Sequence, residues 1–234
     1  MGATKIEWTD ASWNPVTGCI KLTQGCKLCY AERNALTRLK HNPRYQNGFK
    51  PTLHYDLIDQ PRRWRKQRKV FVCSMADLFQ DAVPDDFIRA CFDTMVACPQ
   101  HVFQVLTKRS ERLRQLAPSL PWPKNIWAGV SVEDERVIHR IADLATVPAH
   151  VRFLSLEPLI GPLDNLNLDG IGWVIVGGES GKGARPMLED WVRSLRDQCE
   201  DAGVRLFYKQ RREGGRMVSL PTLDGRQHIA WPQP

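Results

Sequence analysis

The sequence predicts an α/β fold built as a complete or partial TIM-like (β/α) barrel of mostly parallel strands. Three observations predict it. Short apolar runs rich in β-branched residues alternate with amphipathic segments of helical spacing along the 234-residue chain. About seven such units follow one another at spacings of roughly 20 to 50 residues, which favours a barrel over an open three-layer sheet. Polar side chains also recur directly after the apolar runs, as they do at the mouth of a barrel.

The apolar runs are the predicted strands, since they are short and rich in the residues that strands buried on both faces require. They cover residues 70–73, 102–106, 126–130, 151–154, 173–176 and 204–208, with a further strand around 12–16. The predicted helices between them cover residues 84–98, 109–116, 134–146 and 189–202, and another helix begins near Tyr30.

The domain organisation follows from composition. With 42% hydrophobic residues the chain can bury one sizeable core, and residues 1–209 are predicted to form one barrel domain. A basic insertion interrupts the alternation at about 41–69 and is expected to contain one helix. Residues 210–234, rich in Arg, Gly and Pro, are expected to form a C-terminal extension that is a small hairpin or loosely ordered.

The sequence predicts neither a membrane span nor a secretory signal. It contains no apolar run of the length of a membrane span, and its first residues lack the basic-then-apolar pattern of a secretory signal. We therefore expect a cytoplasmic protein with no membrane partner.

The charge balance points towards a polyanionic partner. The formal net charge is +7, and clustered Lys and Arg side chains bind phosphates with release of counterions. The candidate nucleic-acid contacts are Arg62, Arg63, Trp64, Arg65, Lys209, Arg211 and Arg212. Among them Trp64 would offer a stacking surface for a base, and a solvated helix face is the alternative interpretation of the basic residues.

Three closely spaced cysteines form the strongest motif. Cys19, Cys26 and Cys29 follow a C-x6-C-x2-C pattern in a loop that leads into the helix near Tyr30. Three thiolates leave one iron of an iron–sulfur cluster open to another ligand, whereas a structural zinc normally has four protein ligands. In the zinc alternative, His41 or His54 would complete the site.

The remaining cysteines are interpreted differently. Cys73, Cys91, Cys98 and Cys199 are solitary on strand or helix patterns, and we expect them to be buried small hydrophobic residues. An odd total of seven cysteines in a cytoplasmic protein also argues against a disulfide framework.

Polar residues that follow the predicted strands form a second candidate group, which we predict to bind a cofactor. Its members are Asp77, Lys108, Ser131, Glu133, Glu157 and Glu179. Because the carboxyl ends of parallel strands lie at one end of a sheet, these side chains should meet the cysteine loop there. Structural alternatives exist: Asp77 can cap a short helix, and Glu157 can cap a loop.

The residues around these motifs carry a family resemblance. Residues 13–19 (WNPVTGC) and 25–32 (GCKLCYAE), together with ADLF at 76–79, LSLEPL at 154–159 and VGGESG at 176–181, resemble the phage-associated three-Cys-motif family. The blocks VLTKR at 105–109 and GVS at 129–131 agree with it, so the resemblance covers most of the chain. That family is itself similar to radical S-adenosylmethionine (SAM) enzymes, whose usual cysteine spacing, C-x3-C-x2-C, is three residues shorter.

The resemblance implies a radical SAM-like iron–sulfur enzyme. Cys19, Cys26 and Cys29 would bind three irons of a [4Fe–4S] cluster, and SAM would bind the fourth. An electron from an external donor would then cleave SAM to methionine and a 5′-deoxyadenosyl radical, which modifies an unknown substrate, with nucleic acid or a nucleotide as the leading candidate.

It also suggests roles for the residues that follow the strands. Asp77 or Glu179 would accept hydrogen bonds from the SAM ammonium group, Ser131 with Glu133 would hold the ribose, and Lys108 with its neighbour Arg109 would bind a carboxylate or phosphate. Two alternatives stay open. One is a zinc- or cluster-stabilised nucleic-acid-binding protein without catalysis, and the other is a protein that acts only with a partner encoded nearby.

Overall fold

A curled, eight-stranded, mostly parallel sheet forms the core of the protein. The computed structural model describes residues 4 and 6–232. Within them the strands are β1 (Ala11–Trp13), β2 (Val16–Thr17), β3 (Thr52–Leu53), β4 (Lys69–Val72), β5 (Val102–Thr107), β6 (Ile126–Ser131), β7 (Arg152–Leu156), β8 (Trp173–Gly177), β9 (Arg205–Glu213), β10 (Arg216–Ser219), β11 (Thr222–Leu223) and β12 (Arg226–Gln227). The helices are α1 (Tyr30–Leu36), α2 (Asp85–Val96), α3 (Ser110–Leu116), α4 (Arg140–Ala145) and α5 (Glu189–Asp201).

The strand order decides between the complete and the partial barrel. In the main sheet it is β1-β4-β5-β6-β7-β8-β9-β10, and every neighbouring pair is parallel except β9 and β10. Because β1 and β10 are the two edges of this sheet, it remains open as a half-barrel. The prediction of an α/β barrel is confirmed in its partial form.

The two faces of the sheet have different cores. The outer face and the helices share a large cluster that includes Val105, Val130 and Leu195. The inner face carries an aromatic cluster in which Trp173 packs against Trp8, Phe153 and Phe207. These rings stand near the amino ends of the strands. Since side chains alternate between the two faces along a strand, every second residue after these rings lies on the same inner face. Those later residues lie nearer the carboxyl ends of the strands.

Most predicted helices are confirmed to within a few residues, and two expectations are wrong. The segment predicted as one helix at 134–146 is divided into a 3₁₀ turn (Glu135–Val137) and α4. The basic insertion contains no α-helix among its described residues, and instead has three 3₁₀ turns, Pro43–Tyr45, Tyr55–Leu57 and Gln60–Arg63. Pro43 and Pro61, the first and second residues of their turns, and the pairing of β3 with β2 restrict the insertion to short segments.

The predicted boundary at 209/210 falls inside β9. This strand forms an antiparallel hairpin with β10, so the hairpin alternative describes the start of the extension and a loosely ordered tail does not. Phe207 also forms a bridge with Ile229, which returns the chain to the sheet. None of the helices in the described residues has the length and apolar content needed to span a bilayer.

Candidate metal centre

The cysteine loop lies at the carboxyl ends of the strands. The Gly18 amide donates to the Met75 carbonyl (3.0 Å), just beyond β4, and the Cys19 amide donates to Phe49 (3.1 Å). Gly18 has φ +78°, and a side chain there would lie 2.2 Å from the Lys50 carbonyl oxygen, so the turn into the loop requires glycine. Cys29 is the residue before α1, which fixes the other end of the loop.

All three predicted ligands are free thiols. Cys26 is buried, and Cys19 and Cys29 are half-buried. Burial raises the pKa of Cys19 to about 12, and Asp77 adds to this shift while Arg109 opposes it. The described residues hold no group of three or more His, Cys, Asp or Glu side chains already arranged around a metal position.

The chemistry of the donors fits a cluster held by three thiolates. The Cys19 and Cys26 side chains are close enough to interact electrostatically, and all three thiols belong to one loop. His54 is a poor fourth ligand for zinc because its Nε2 lies 2.8 Å from the Thr17 hydroxyl and its Nδ1 lies 3.4 Å from Arg44. His41 is exposed.

Asp77 holds Arg109 against the cysteine loop. Its Oδ1 accepts from the Thr107 hydroxyl (2.7 Å) and the Phe79 amide (3.0 Å), as in the capping alternative. Its Oδ2 accepts from the Lys108 amide (2.9 Å) and from Arg109 Nη1 (3.0 Å). A carboxylate with these four contacts links the loops after β4 and β5.

Glu133 joins the loop to two cations. Its Oε1 accepts from the Thr23 hydroxyl (2.9 Å) and pairs with Lys108 Nζ (3.0 Å), and its Oε2 pairs with Arg140 Nη1 (2.9 Å). The residue is 1% exposed. Burial acts to raise the pKa of Glu133, but Lys108 and Arg140 bring it below its ordinary value, so the carboxylate is charged.

Glu133 also explains a glycine in the motif. A side chain at Gly25 would lie 2.4 Å from Glu133 Oε1, so the loop packs directly onto this carboxylate. Beside that contact is a cavity of about 410 Å³, between the loop and the segment after β6. Its lining residues are Lys21, Leu22, Thr23, Gln24, Gly25, Glu133, Asp134, Arg136 and Val137.

Glu179 holds the loop through Arg185. The Arg185 guanidinium donates to both Glu179 oxygens and, through Nη2, to the Gln24 carbonyl oxygen (2.9 Å). Burial opposes ionisation of Glu179, yet the hydrogen bonds from Arg185 lower its pKa overall. Asp77 through Arg109, Glu133 directly and Glu179 through Arg185 therefore hold the segment between Cys19 and Cys26. The contacts fall at Ile20, Thr23 and Gln24.

Glu157 and Lys209 form an ion pair elsewhere at the mouth. Lys209 Nζ lies 2.6 Å from Glu157 Oε1, and Gln210 Nε2 donates to the same oxygen (3.0 Å). Gly177 follows Trp173 and Ile175 on the inner face of β8, and a Cβ there would lie 3.1 Å from Glu157 Cδ, so Glu157 belongs to the inner face. Its charge also acts on Tyr30, the residue after Cys29.

Four of the predicted cofactor-binding residues, Asp77, Lys108, Glu133 and Glu179, therefore lie beside the cysteine loop or its anchors, and Glu157 lies elsewhere at the mouth. Ser131 is buried at the end of β6 beside Ser155 of β7, and Lys108 reaches Glu133. Direct contact between any of these residues and SAM stays a prediction. Sequence reasoning did not identify four side chains that anchor the loop: Thr23, Gln80, Arg140 and Arg185. Arg140 follows Glu133 by seven residues and Arg185 follows Glu179 by six, and this spacing could have suggested the two ion pairs.

The predicted nucleic-acid contacts divide into two groups. The segment with Arg62, Arg63 and Arg65 precedes β4 and therefore lies towards the amino ends of the strands, away from the cysteines. Trp64 is 4% exposed and packs against His101, so the expectation of a stacking surface is wrong for this buried ring. Towards the carboxyl ends, Lys209 pairs with Glu157, Arg211 pairs with Glu189 and Glu213, and Arg212 donates to the Gly181 carbonyl.

Solved structures of spore photoproduct lyase share this fold. A mutant with dinucleoside spore photoproduct matches with a TM-score of 0.55 at 12% identity, covering 92% of this chain and 68% of the lyase chain. A second mutant gives 0.55 at 13% identity, and one with bound AdoMet and dinucleoside spore photoproduct gives 0.52 at 13%, with the same coverage. At such identity the likeness concerns the fold.

The comparison with curated proteins found no match. The resemblance to the phage-associated three-Cys-motif family stays a prediction. A family model described as "Protein of unknown function (DUF5131)" matches residues 3–229, a range that includes the cysteine loop and every strand of the half-barrel. The chain therefore belongs to this family.

Proposed function

We propose that this protein is an iron–sulfur enzyme that uses SAM in radical chemistry on a nucleic-acid or nucleotide substrate. One observation carries the proposal: three free thiols on a single anchored loop lie at the carboxyl-terminal mouth of a partial (β/α) barrel. In such folds the site forms at this end of the strands. The three thiols would hold the cluster and leave one iron for SAM.

The structural neighbours support the same chemistry. One of the lyase structures contains AdoMet, and three contain dinucleoside spore photoproduct. This chain shares their fold, so the inner face of its half-barrel is the proposed place for ligands of the same kind. The net charge of +7 agrees with a phosphate-bearing substrate.

Different residues of this chain would exclude water from the site and orient SAM and substrate. When bound, the cluster supplies the electron that cleaves SAM to a 5′-deoxyadenosyl radical. The aromatic cluster around Trp173 closes the inner face below the mouth and excludes water from it. Ser131, Ser155 and the Glu157–Lys209 pair line the inner face above these rings, where they can orient SAM and substrate.

Anaerobic reconstitution tests the proposal. We expect brown protein with about four irons per chain, and reductant-dependent release of 5′-deoxyadenosine from SAM. Short oligonucleotides and dinucleotides should then raise deoxyadenosine release above the level without substrate. Stoichiometric zinc, no binding of SAM and retained affinity for nucleic acid would instead establish the non-catalytic alternative. Restoration of activity only by a co-purifying protein would establish the dependence on a partner.

A further inference from the structure

The segment between Cys19 and Cys26 is long, and a longer loop loses more conformational entropy when its ends are fixed. Six residues separate these two cysteines. The structure shows what offsets this freedom on the Cys19 side, where side chains from outside the loop bind the backbone on both sides of the cysteine.

Gln80 is the first of these side chains. Its Nε2 donates to the Gly18 carbonyl oxygen (2.9 Å), and its Oε1 accepts from the Ile20 amide (3.3 Å). The side chain therefore bridges the residues that flank Cys19. Gln80 is fully buried, so neither bond competes with bulk water.

Arg109 is the second. Its Nη2 donates to the Ile20 carbonyl oxygen (2.5 Å), and the Cys19 Sγ lies 3.5 Å from that same oxygen. The guanidinium and the sulfur therefore both contact the Ile20 carbonyl oxygen and lie close to each other. Asp77 fixes the guanidinium through Nη1 (3.0 Å), and the ion pair is about nine-tenths buried.

We infer that Gln80 and Arg109, the latter held by Asp77, are positioning residues for Cys19 as a cluster ligand. Gln80 sets the path of the backbone, and Arg109 places a fixed positive charge beside the sulfur. The inference rests on the proposed function, since it assigns roles towards the cluster. It requires the Cys19 side of the loop to be ordered before any cluster binds.

Two consequences follow from elementary physics. Without the Gln80 bridge, the apo loop should open locally and capture iron less completely. Without the Arg109 charge, the reduced cluster, which carries one more negative charge, should lose stabilisation, because hydrogen bonds to sulfur and net charge set cluster potentials. The midpoint potential should then become more negative.

The Gln80→Glu variant tests the first consequence in the full-length chain. It preserves side-chain volume and removes the donor to Gly18. Gln104→Glu is the matched control, because Gln104 is equally buried and its Nε2 donates to the Trp8 carbonyl oxygen (3.0 Å) at the other end of the half-barrel. We expect at least about tenfold faster hydrogen exchange at the Ile20 amide and reduced iron content in Gln80→Glu alone.

The Arg109→Gln variant tests the second consequence, with Arg114→Gln as control. Arg114 lies in α3, the helix that begins directly after Arg109, and pairs with Asp143 of α4 (3.0 Å) rather than with the cysteine loop. Redox titration followed by EPR should show a negative shift in Arg109→Gln of about 59 mV, a tenfold change in the one-electron equilibrium. Thermal unfolding midpoints separate this effect from general destabilisation.

The outcomes distinguish failure of the proposed function from failure of the positioning role alone. Wild-type protein that takes up no iron would overturn the proposed function itself. Wild-type protein that loads a cluster, while Gln80→Glu and Arg109→Gln match their controls in exchange, iron content and potential, would overturn the positioning role alone. Should Gln80→Glu fail to fold, the potential of Arg109→Gln still decides the matter.

Discussion

Replacing Glu133 with Gln should destabilise the protein strongly. The substitution preserves side-chain shape but removes the charge that faces Lys108 and Arg140. The Arg140 side chain is only 3% exposed, so water cannot replace the lost partner. An uncompensated charge would then remain buried beside the cysteine loop.

The magnitude follows from burial. Breaking a buried ion pair by removing one partner typically costs about 3–5 kcal/mol. Asp56→Asn is the control, since the Arg44–Asp56 pair is exposed and exposed ion pairs contribute little to stability. Urea unfolding of the apo protein under reducing conditions, followed by circular dichroism and tryptophan fluorescence, gives both free energies.

The pH dependence provides a second check. The pKa of Glu133 in the folded protein lies below its ordinary value. The stabilisation from its ion pairs is therefore fully present above the unfolded-state pKa near 4.5, and it is lost as pH falls through the lower folded-state pKa. Glu133→Gln should remove this part of the acid dependence. A double mutant with Arg140→Met should recover stability relative to the sum of the single changes. A Glu133→Gln cost similar to that of Asp56→Asn, with additive effects, would refute the reasoning.

Three further predictions concern separate parts of the molecule. Gly129→Ala should cost about 1–3 kcal/mol in urea unfolding, since its Cβ would lie 2.4 Å from the Phe153 ring, and no loss would contradict the packing described. Cys26→Ala should abolish the visible absorption of reconstituted protein and Cys91→Ala should not; equal loss would contradict the ligand assignment. Burial lowers the pKa of His101 below its ordinary 6.5, so the stability of the protein should rise with pH between the folded-state pKa and 6.5 and stay level above 6.5. His101→Phe should flatten this rise in thermal melts. An unchanged slope would exclude His101 as its source.

The alternation of strands and helices was predictable because strands buried on both faces must be continuously apolar. β8 (Trp173–Gly177) illustrates this, since every residue in it is buried. The sequence did not show whether the barrel closes. Closure depends on whether β10 pairs with β1, and no local pattern encodes a contact between the two ends of a chain.

The buried state of Trp64 was also hidden from the sequence. Arginines surround it on both sides, which is typical of an exposed segment. The ring is covered instead by His101, which comes from just before β5, and by Arg68, whose guanidinium lies 5.3 Å from the ring centroid. A contact between segments separated by a helix cannot be inferred from the composition of either one.

The carboxylates at the strand ends show where sequence reasoning about a site reaches its limit. A Glu or Asp after a parallel strand lies at the mouth whether it binds a ligand or holds a loop, so position alone does not separate the two roles. Partners do separate them. Asp77, Glu133 and Glu179 each use both oxygens on side chains or amides of the chain itself.

Glu157 differs from those three carboxylates. Within the described residues, its hydrogen bonds and ion pair all come from Lys209 and Gln210, and all of them end on Oε1. A cationic group such as the SAM ammonium needs a carboxylate oxygen that can still accept. Under the proposed function, Glu157 therefore fits direct contact best of the four acidic side chains assigned to the cofactor from sequence, and the other three would act on the cofactor through the cysteine loop.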